Sequence, residues 1–66
     1  MSARQFSVGE FVRLAPSAAG AFPRRMFGRR GMVVDIAFRP DMLLVRWRGY
    51  PFAMHMQAGD LEEAGQ

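Results

Sequence analysis

Prolines and glycines occur at such short intervals along this chain that a helical fold would have to include them within its helices. Prolines stand at positions 16, 23, 40 and 51, and seven glycines fall among the 66 residues. Proline lacks the backbone donor that a helix interior requires, and glycine weakens helices through its backbone freedom. The segments between them alternate apolar and polar residues, which is typical of short strands. The sequence therefore predicts an all-β fold, a small barrel of about five short strands.

The first half of the chain contains two predicted strands and a long loop. The first strand covers residues 8–15, with Val12 and Leu14 as the core pair and Phe11 on the opposite face. The second covers residues 32–38, and apolar residues on both of its faces indicate a bulge or a bend. Residues 16–31 form one long early loop, anchored by Phe22 and Phe27. Loops of this length are usually functional or ordered by their own side chains.

The second half contains two further strands and a short helical turn. Residues 42–48 form the third predicted strand and residues 52–57 the fourth, separated by turns at 39–41 and 49–51. Alternation places one set of side chains inward: Leu43, Val45, Trp47, Phe52, Met54 and Met56. The segment AGDLEEA then predicts a single helical turn, with Leu61 packing back on the core and a final short strand. We expect a lead-in at 1–7, one domain at 8–63 and a tail at 64–66.

The charge of the chain is unevenly distributed. Residues 1–59 carry nine arginines and three acids, a balance of +6, whereas the end from Asp60 contributes −3 through three acids. All nine basic residues are arginine, and no cysteine is present. A basic body favours an anionic partner, with nucleic acid first and an acidic protein surface second. Because the chain shows neither an apolar membrane span nor a signal-peptide pattern, we expect no membrane partner and a cytoplasmic location.

The segment PRRMFGRRG at 23–31 is the strongest candidate for a contact surface. It contains four arginines and no acid. The candidate residues are Arg24, Arg25, Phe27, Arg29 and Arg30. Guanidinium groups suit phosphates, and an aromatic ring can stack on an unpaired base. The alternative is that Phe27 anchors the loop while the arginines are merely solvated.

The third strand and the turn after it extend this candidate surface. With Trp47 inward, Arg46 and Arg48 project outward on one face, beside Arg13. They either widen the basic surface or form the ordinary polar face of a half-buried sheet. Tyr50 in the following turn either contacts a partner or caps the end of the barrel.

No pattern of catalytic or metal-binding residues accompanies these arginines. His55 is the only histidine, and it lacks partners at a metal-ligand spacing. The acids Asp60, Glu62 and Glu63 have no nucleophile near them and are expected to be solvated or paired with arginines. No phosphate loop, nucleophile motif or zinc signature occurs. The sequence therefore predicts a protein that is not an enzyme and that has no cofactor.

Over residues 8–63, the pattern VGEFVRL, GRRGMVVDI, LLVRW and GDLEE resembles the SH3-like barrels of the KOW and translation-protein type. Those families begin with a glycine–acid–x–valine strand and enter the next strand through glycine, here Gly31, followed by Val33 and Ile36. They close with a one-turn helix built on Asp-Leu-Glu, here residues 60–62. The resemblance implies an SH3-like barrel, and its short hydrophobic motifs specify the fold far better than the function.

The segment AFPRRMFGRRGMVVDI is also similar to part of an SH3-like ribosomal large-subunit protein family and to the SH3-like domain of nitrile hydratase β subunits. In the ribosomal family this basic loop meets rRNA, whereas in the hydratase the domain packs on a partner subunit. The segment LLVRWRGYP resembles a chromodomain strand, but the C-terminal helix and the N-terminal aromatic strand of chromodomains have no counterpart here. The resemblance therefore implies either RNA or protein as the partner.

Two functional hypotheses follow. The first is a non-catalytic module that binds nucleic acid, with RNA or a ribonucleoprotein surface favoured, through the basic and aromatic residues of 23–31. The second is a structural or adaptor subunit of a protein assembly, such as an accessory subunit or a phage virion component. In the second hypothesis the chain forms a homo-oligomer or joins a larger assembly, and Leu44, Tyr50 or Met54 becomes buried there.

Overall fold

The structure, a computed structural model, describes residues 6–37, 39 and 41–65 and consists of short strands and single helical turns. The strands are β1 (Phe11–Leu14), β2 (Gly31–Ile36), β3 (Met42–Trp47), β4 (Ala53–Gln57) and β5 (Leu61–Glu63). The 3₁₀ helices are η1 (Pro16–Ala18), η2 (Arg24–Met26) and η3 (Ala58–Asp60). The prediction of an all-β fold with a long early loop and one helical turn near the C-terminus is confirmed. None of the helices in the described ranges has the length and apolar character that a membrane crossing needs.

The five strands form one antiparallel sheet in the order β4-β3-β2-β1-β5. In a flat sheet of this order the two edge strands would lie about 19 Å apart, which is four times the distance between neighbouring strands. The chain runs from the end of β4 at Gln57 to the start of β5 at Leu61, and these four Cα steps reach at most roughly 14 Å. The sheet must therefore curl so that its edges approach each other, and the Cα extents of 28 × 25 × 23 Å agree with a curled shape.

Two backbone hydrogen bonds hold η3 at this corner. The amide of Ala58 donates to the carbonyl of Asp41 at 2.7 Å, and the amide of Ala15 donates to the carbonyl of Asp60 at 2.9 Å. The first bond ties η3 to the start of β3, and the second ties it to the end of β1. The helical turn thus joins the two halves of the sheet where they meet.

The curled sheet encloses an apolar core on its inner face. The predicted core pair on β1 is confirmed, because Val12 and Leu14 are both buried. The alternation along β3 is confirmed as well, with one set of side chains fully or almost fully buried: Leu43, Val45 and Trp47. Leu61 packs back on this core as predicted. Phe6, which lies in the predicted lead-in, is also buried in it.

The predicted irregularity in the second strand is a bulge in β2. Val33 lies opposite Val45, but the next pair in the ladder is Asp35 with Leu44. The extra residue reverses which side chains face the core beyond this point. As a result Met32 lies opposite Arg46 on the outer face while Ile36 lies opposite the buried Leu43, although both side chains are exposed, at 38% and 37%.

Two strand predictions extended too far toward the N-terminal side. β1 begins at Phe11 and not at Val8, because a turn closed by the Glu10 amide and the Ser7 carbonyl precedes it, with Gly9 at φ +94°. β4 begins at Ala53, so the prediction that Phe52 points inward is wrong: its side chain is 56% exposed. Pro51 lacks the backbone donor that a ladder needs, and the bend at 51–52 keeps Phe52 outside the sheet.

The long loop at 16–31 is ordered by its own side chains, as predicted. Phe22 and Phe27 pack against the core but remain partly exposed. The main anchor is Met26, which is 2% exposed, together with Ala18 from η1. Met26 was not predicted as an anchor, because it stands between arginines in the sequence and belongs to no periodic segment.

Gly31 permits a close approach between β2 and β3. It is paired with Trp47, and a Cβ built on it would lie 2.7 Å from Val45 Cγ1 and 2.8 Å from Trp47 Cε3. Both neighbours are buried, so neither has space into which it could move. The glycine at the entry of β2 is therefore required by the packing of the Trp47 ring.

We expect Gly31→Ala to lower the free energy of unfolding by about 1–3 kcal/mol, because the added methyl overpacks the core. Gly59→Ala is the matched control, since no heavy atom lies within 4 Å of a Cβ placed there and its φ is not left-handed. Urea unfolding followed by circular dichroism measures both variants. Equal midpoints for Gly31→Ala and the wild type would contradict this account of the β2–β3 packing.

Candidate functional site

A groove of about 500 Å³ lies on the outer face of β1, β2 and β3, at the end where Gly31 pairs with Trp47. We call it the outer groove. Its charged lining consists of Arg30, Arg46 and Arg48, and its apolar lining includes Phe11, Met32, Trp47 and Tyr50. The groove thus brings together four of the predicted site residues: Arg30 from the loop, Arg46 on β3, Arg48 just after β3 and Tyr50 from the following turn.

Strand register explains why these side chains meet. Phe11 on β1 lies opposite Met32 on β2, and Met32 lies opposite Arg46 on β3. The three side chains therefore form a row across the outer face of the sheet. The amide of Arg48 donates to the carbonyl of Arg30 at 2.9 Å, which sets Arg48 beside the end of the loop.

The charged side chains that line the outer groove are all positive. Among the described residues, no aspartate or glutamate lines it. Within the described ranges, Arg46 and Arg48 form no ion pair, and both are exposed as predicted. Three guanidinium groups without a lining carboxylate produce a positive potential in a concave surface, where low-dielectric walls concentrate the field. The groove is therefore suited to an anionic ligand.

Cation–π contacts set the positions of two rings in and beside the groove. The Arg30 guanidinium lies 5.2 Å from the centroid of the Phe11 ring, and that of Arg29 lies 5.7 Å from the centroid of the Tyr50 ring. Tyr50 also meets Phe52 edge to face, with the centroids 6.3 Å apart and the planes at 79°. Tyr50 is partly buried against the core and also lines the groove.

Arg29 is a bridge between the loop and the β3–β4 turn rather than a freely solvated cation. Its Nε donates to the carbonyl of Arg25 at 3.0 Å, and its Nη1 donates to the carbonyl of Arg48 at 3.0 Å. Gly49 makes room for it: φ there is +87°, and a Cβ would lie 2.5 Å from Nη1. Arg29 therefore holds the loop next to the groove. Its side chain does not itself line the groove.

The other predicted loop residues lie away from the outer groove. Arg24 and Phe27 line a separate cavity of about 390 Å³ within the loop, together with Phe22. Arg25 is exposed, and neither Arg24 nor Arg25 forms an ion pair with any described residue. The structure thus divides the segment 23–31 between two surfaces instead of presenting it as one.

Arg13 does not join Arg46 and Arg48 in the lining of the outer groove. Its Nε donates to Glu62 Oε2 at 2.5 Å, across the β1–β5 pair. This contact confirms that an acid of the C-terminal end pairs with an arginine. Arg13 instead lines a small pocket with Arg29 and Arg30, next to the groove.

Two groove residues, Phe11 and Met32, were not predicted as site residues. Their side chains are 40% and 38% exposed although they are large and apolar. For Phe11 the signal was present, because the alternation of the first strand already put it on the face opposite Val12. For Met32 it was absent, because the bulge in β2 obscures which face each side chain takes.

The described residues show no cluster typical of a metal site. No group of three or more His, Cys, Asp or Glu side chains within the described ranges is placed to hold a metal ion. His55 is exposed on β4, opposite Leu44, as expected for a strand residue on the outer face.

Comparison with protein-family models, curated proteins and solved structures found no significant match to this chain.

Replacing Arg29 with alanine should destabilise the domain by about 1–2 kcal/mol, because two backbone carbonyls lose their charged donor. Arg25→Ala removes the same charge from the same loop but leaves its own carbonyl in place, so we expect a change within about 0.5 kcal/mol. Thermal unfolding of the two variants side by side measures the difference. Equal stabilities would show that Arg29 is no bridge.

Proposed function

We propose that this protein is a non-catalytic RNA-binding module that holds an RNA backbone in the outer groove. We further propose that it is an SH3-like barrel of the KOW and translation-protein type and acts in the cytoplasm. The fold supports the family proposal at Gly31, which opens β2 where the resemblance expects a glycine entry. The resemblance expects a one-turn helix on residues 60–62, whereas the turn η3 ends at Asp60 and Leu61 begins β5.

One observation carries the proposal: three arginines and two aromatic rings that are not buried, those of Phe11 and Tyr50, line one groove that no acid of the described residues lines. The planar guanidinium donates paired hydrogen bonds that match the oxygens of a phosphate. Arg46 and Arg48, two residues apart on or just after β3, lie on the same face, where they can meet successive groups along one strand of RNA. Contacts of this kind give affinity without sequence specificity.

The double variant Arg46→Ala/Arg48→Ala should bind RNA more weakly and with a shallower dependence on salt. Each phosphate contact on a single strand contributes about −0.7 to the slope of log affinity against log salt concentration, so the loss of two contacts should reduce the slope by about 1.4. Fluorescence anisotropy with a labelled RNA, repeated from low to moderate salt, measures both quantities.

The matched control is Arg25→Ala with Arg39→Ala, because this pair also removes two positive charges, both from exposed side chains outside the groove. Arg39 lies 3.5 Å from Asp41 and does not line the groove. The affinity of this control should change far less than that of the double variant. If the control and the double variant behave alike, only net charge matters and the groove is not the binding site.

A second candidate function is a structural or adaptor subunit of a protein assembly. The observation that favours it is the exposure of large apolar side chains, with Val8 58% and Phe52 56% exposed. Leu44 and Met54, which this hypothesis buries on assembly, are only half-buried in the single chain. Light scattering after size exclusion, with and without nuclease, separates the two functions: a nuclease-resistant oligomer free of nucleic acid would favour the assembly.

A further inference from the structure

Phe11 occupies a position at which the fold itself needs no aromatic ring. It lies on the outer face of β1, which is an interior strand of the sheet between β2 and β5. The core lies on the opposite face, where its neighbour Val12 is fully buried. Nevertheless Phe11 and the facing Met32 form an exposed apolar pair across the two strands. Because both side chains line the outer groove, their apolar surface is available to a ligand there.

The Phe11 ring is already positioned before any ligand arrives. The Arg30 guanidinium lies 5.2 Å from its centroid, and Tyr50, which lines the same groove, is held by Arg29 and by the edge of Phe52. Contacts that a ring makes before binding reduce the conformational freedom it loses on binding, which favours affinity. Arginine beside an aromatic ring is also the combination on which unpaired bases stack.

The shape and charge of the groove select among anionic ligands. Its volume of about 500 Å³ is in the range of small-ligand sites, so a planar base can lie within it. A duplex keeps its bases stacked inside and would offer the groove only its phosphates. A single strand can place a base on the aromatic lining and a phosphate on the arginines at the same time.

We propose that the outer groove binds unpaired bases of single-stranded RNA, stacked on Phe11 and Tyr50, while Arg46 and Arg48 contact the flanking phosphates. This inference rests on the proposed RNA-binding function and adds to it the class of RNA and the stacking residue. Affinity for a single strand then exceeds affinity for a duplex, and it depends on the aromatic character of position 11.

The test compares a labelled single-stranded RNA of twelve nucleotides with a twelve-base-pair RNA duplex, using wild type, Phe11→Leu and Phe11→Tyr. We expect the wild type to bind the single strand about tenfold or more tightly than the duplex, and Phe11→Leu to lose about tenfold for the single strand only. Phe11→Tyr keeps the ring and should retain the wild-type affinity. The salt dependence should be similar in all three proteins, since no phosphate contact is removed.

Val8→Ala controls for loss of exposed apolar surface elsewhere, because Val8 is exposed and does not line the groove. Thermal unfolding confirms that each variant is folded, as expected for changes on the outer face. Equal affinity for single strand and duplex, or an unchanged affinity in Phe11→Leu, would overturn the stacking inference and leave RNA binding intact. Binding of neither RNA would overturn the proposed function together with this inference.

Discussion

The short link between β4 and β5 determines the form of this domain. Only three residues separate two strands that stand at opposite edges of a five-stranded sheet, and they cannot span the roughly 19 Å width of a flat one. The sheet therefore curls, and η3 is fastened to both halves through Asp41 and Ala15. Once the sheet is curled, its inner face can surround a core without any long helix. Its outer face is then left for contacts, and the groove forms there.

A second dependence links the long loop to the groove. Met26 anchors the loop in the core, and Arg29 then reaches from the loop to the carbonyl of Arg48. This bridge needs the left-handed backbone and the missing side chain of Gly49. The arginines of one short segment consequently have different roles: Arg29 positions, Arg30 lines the groove, and Arg24 lies at a separate cavity. A cluster of like charges in the sequence is thus not a single surface in the folded chain.

Alternation predicted the parts of the fold in which one face of a strand is regular. It placed Val12, Leu14 and the inward residues of β3 correctly, because a side-chain period of two directly reports burial. It failed where the backbone departs from that period, at the bulge of β2 and at Phe52 beyond Pro51. Met26 was not predicted as a core residue because a one-turn helix is too short to show a periodic pattern.

The site was predicted in part. Four predicted residues line the same groove: Arg30, Arg46, Arg48 and Tyr50. Phe11 became recognisable as a site residue only when strand pairing set it beside Met32.

A domain of 66 residues buries only about 60% of the surface its unfolded chain exposes, so its stability margin is small. In such a domain, binding residues are best placed where folding does not depend on them. Phe11, Arg46 and Arg48 meet this condition, because they lie on the exposed face and take no part in the core. Gly31 and Arg29 do not, since one permits the packing of Trp47 and the other ties the loop to the groove. Changes in the first set should therefore alter binding while the domain remains folded, whereas changes in the second set should alter both properties together.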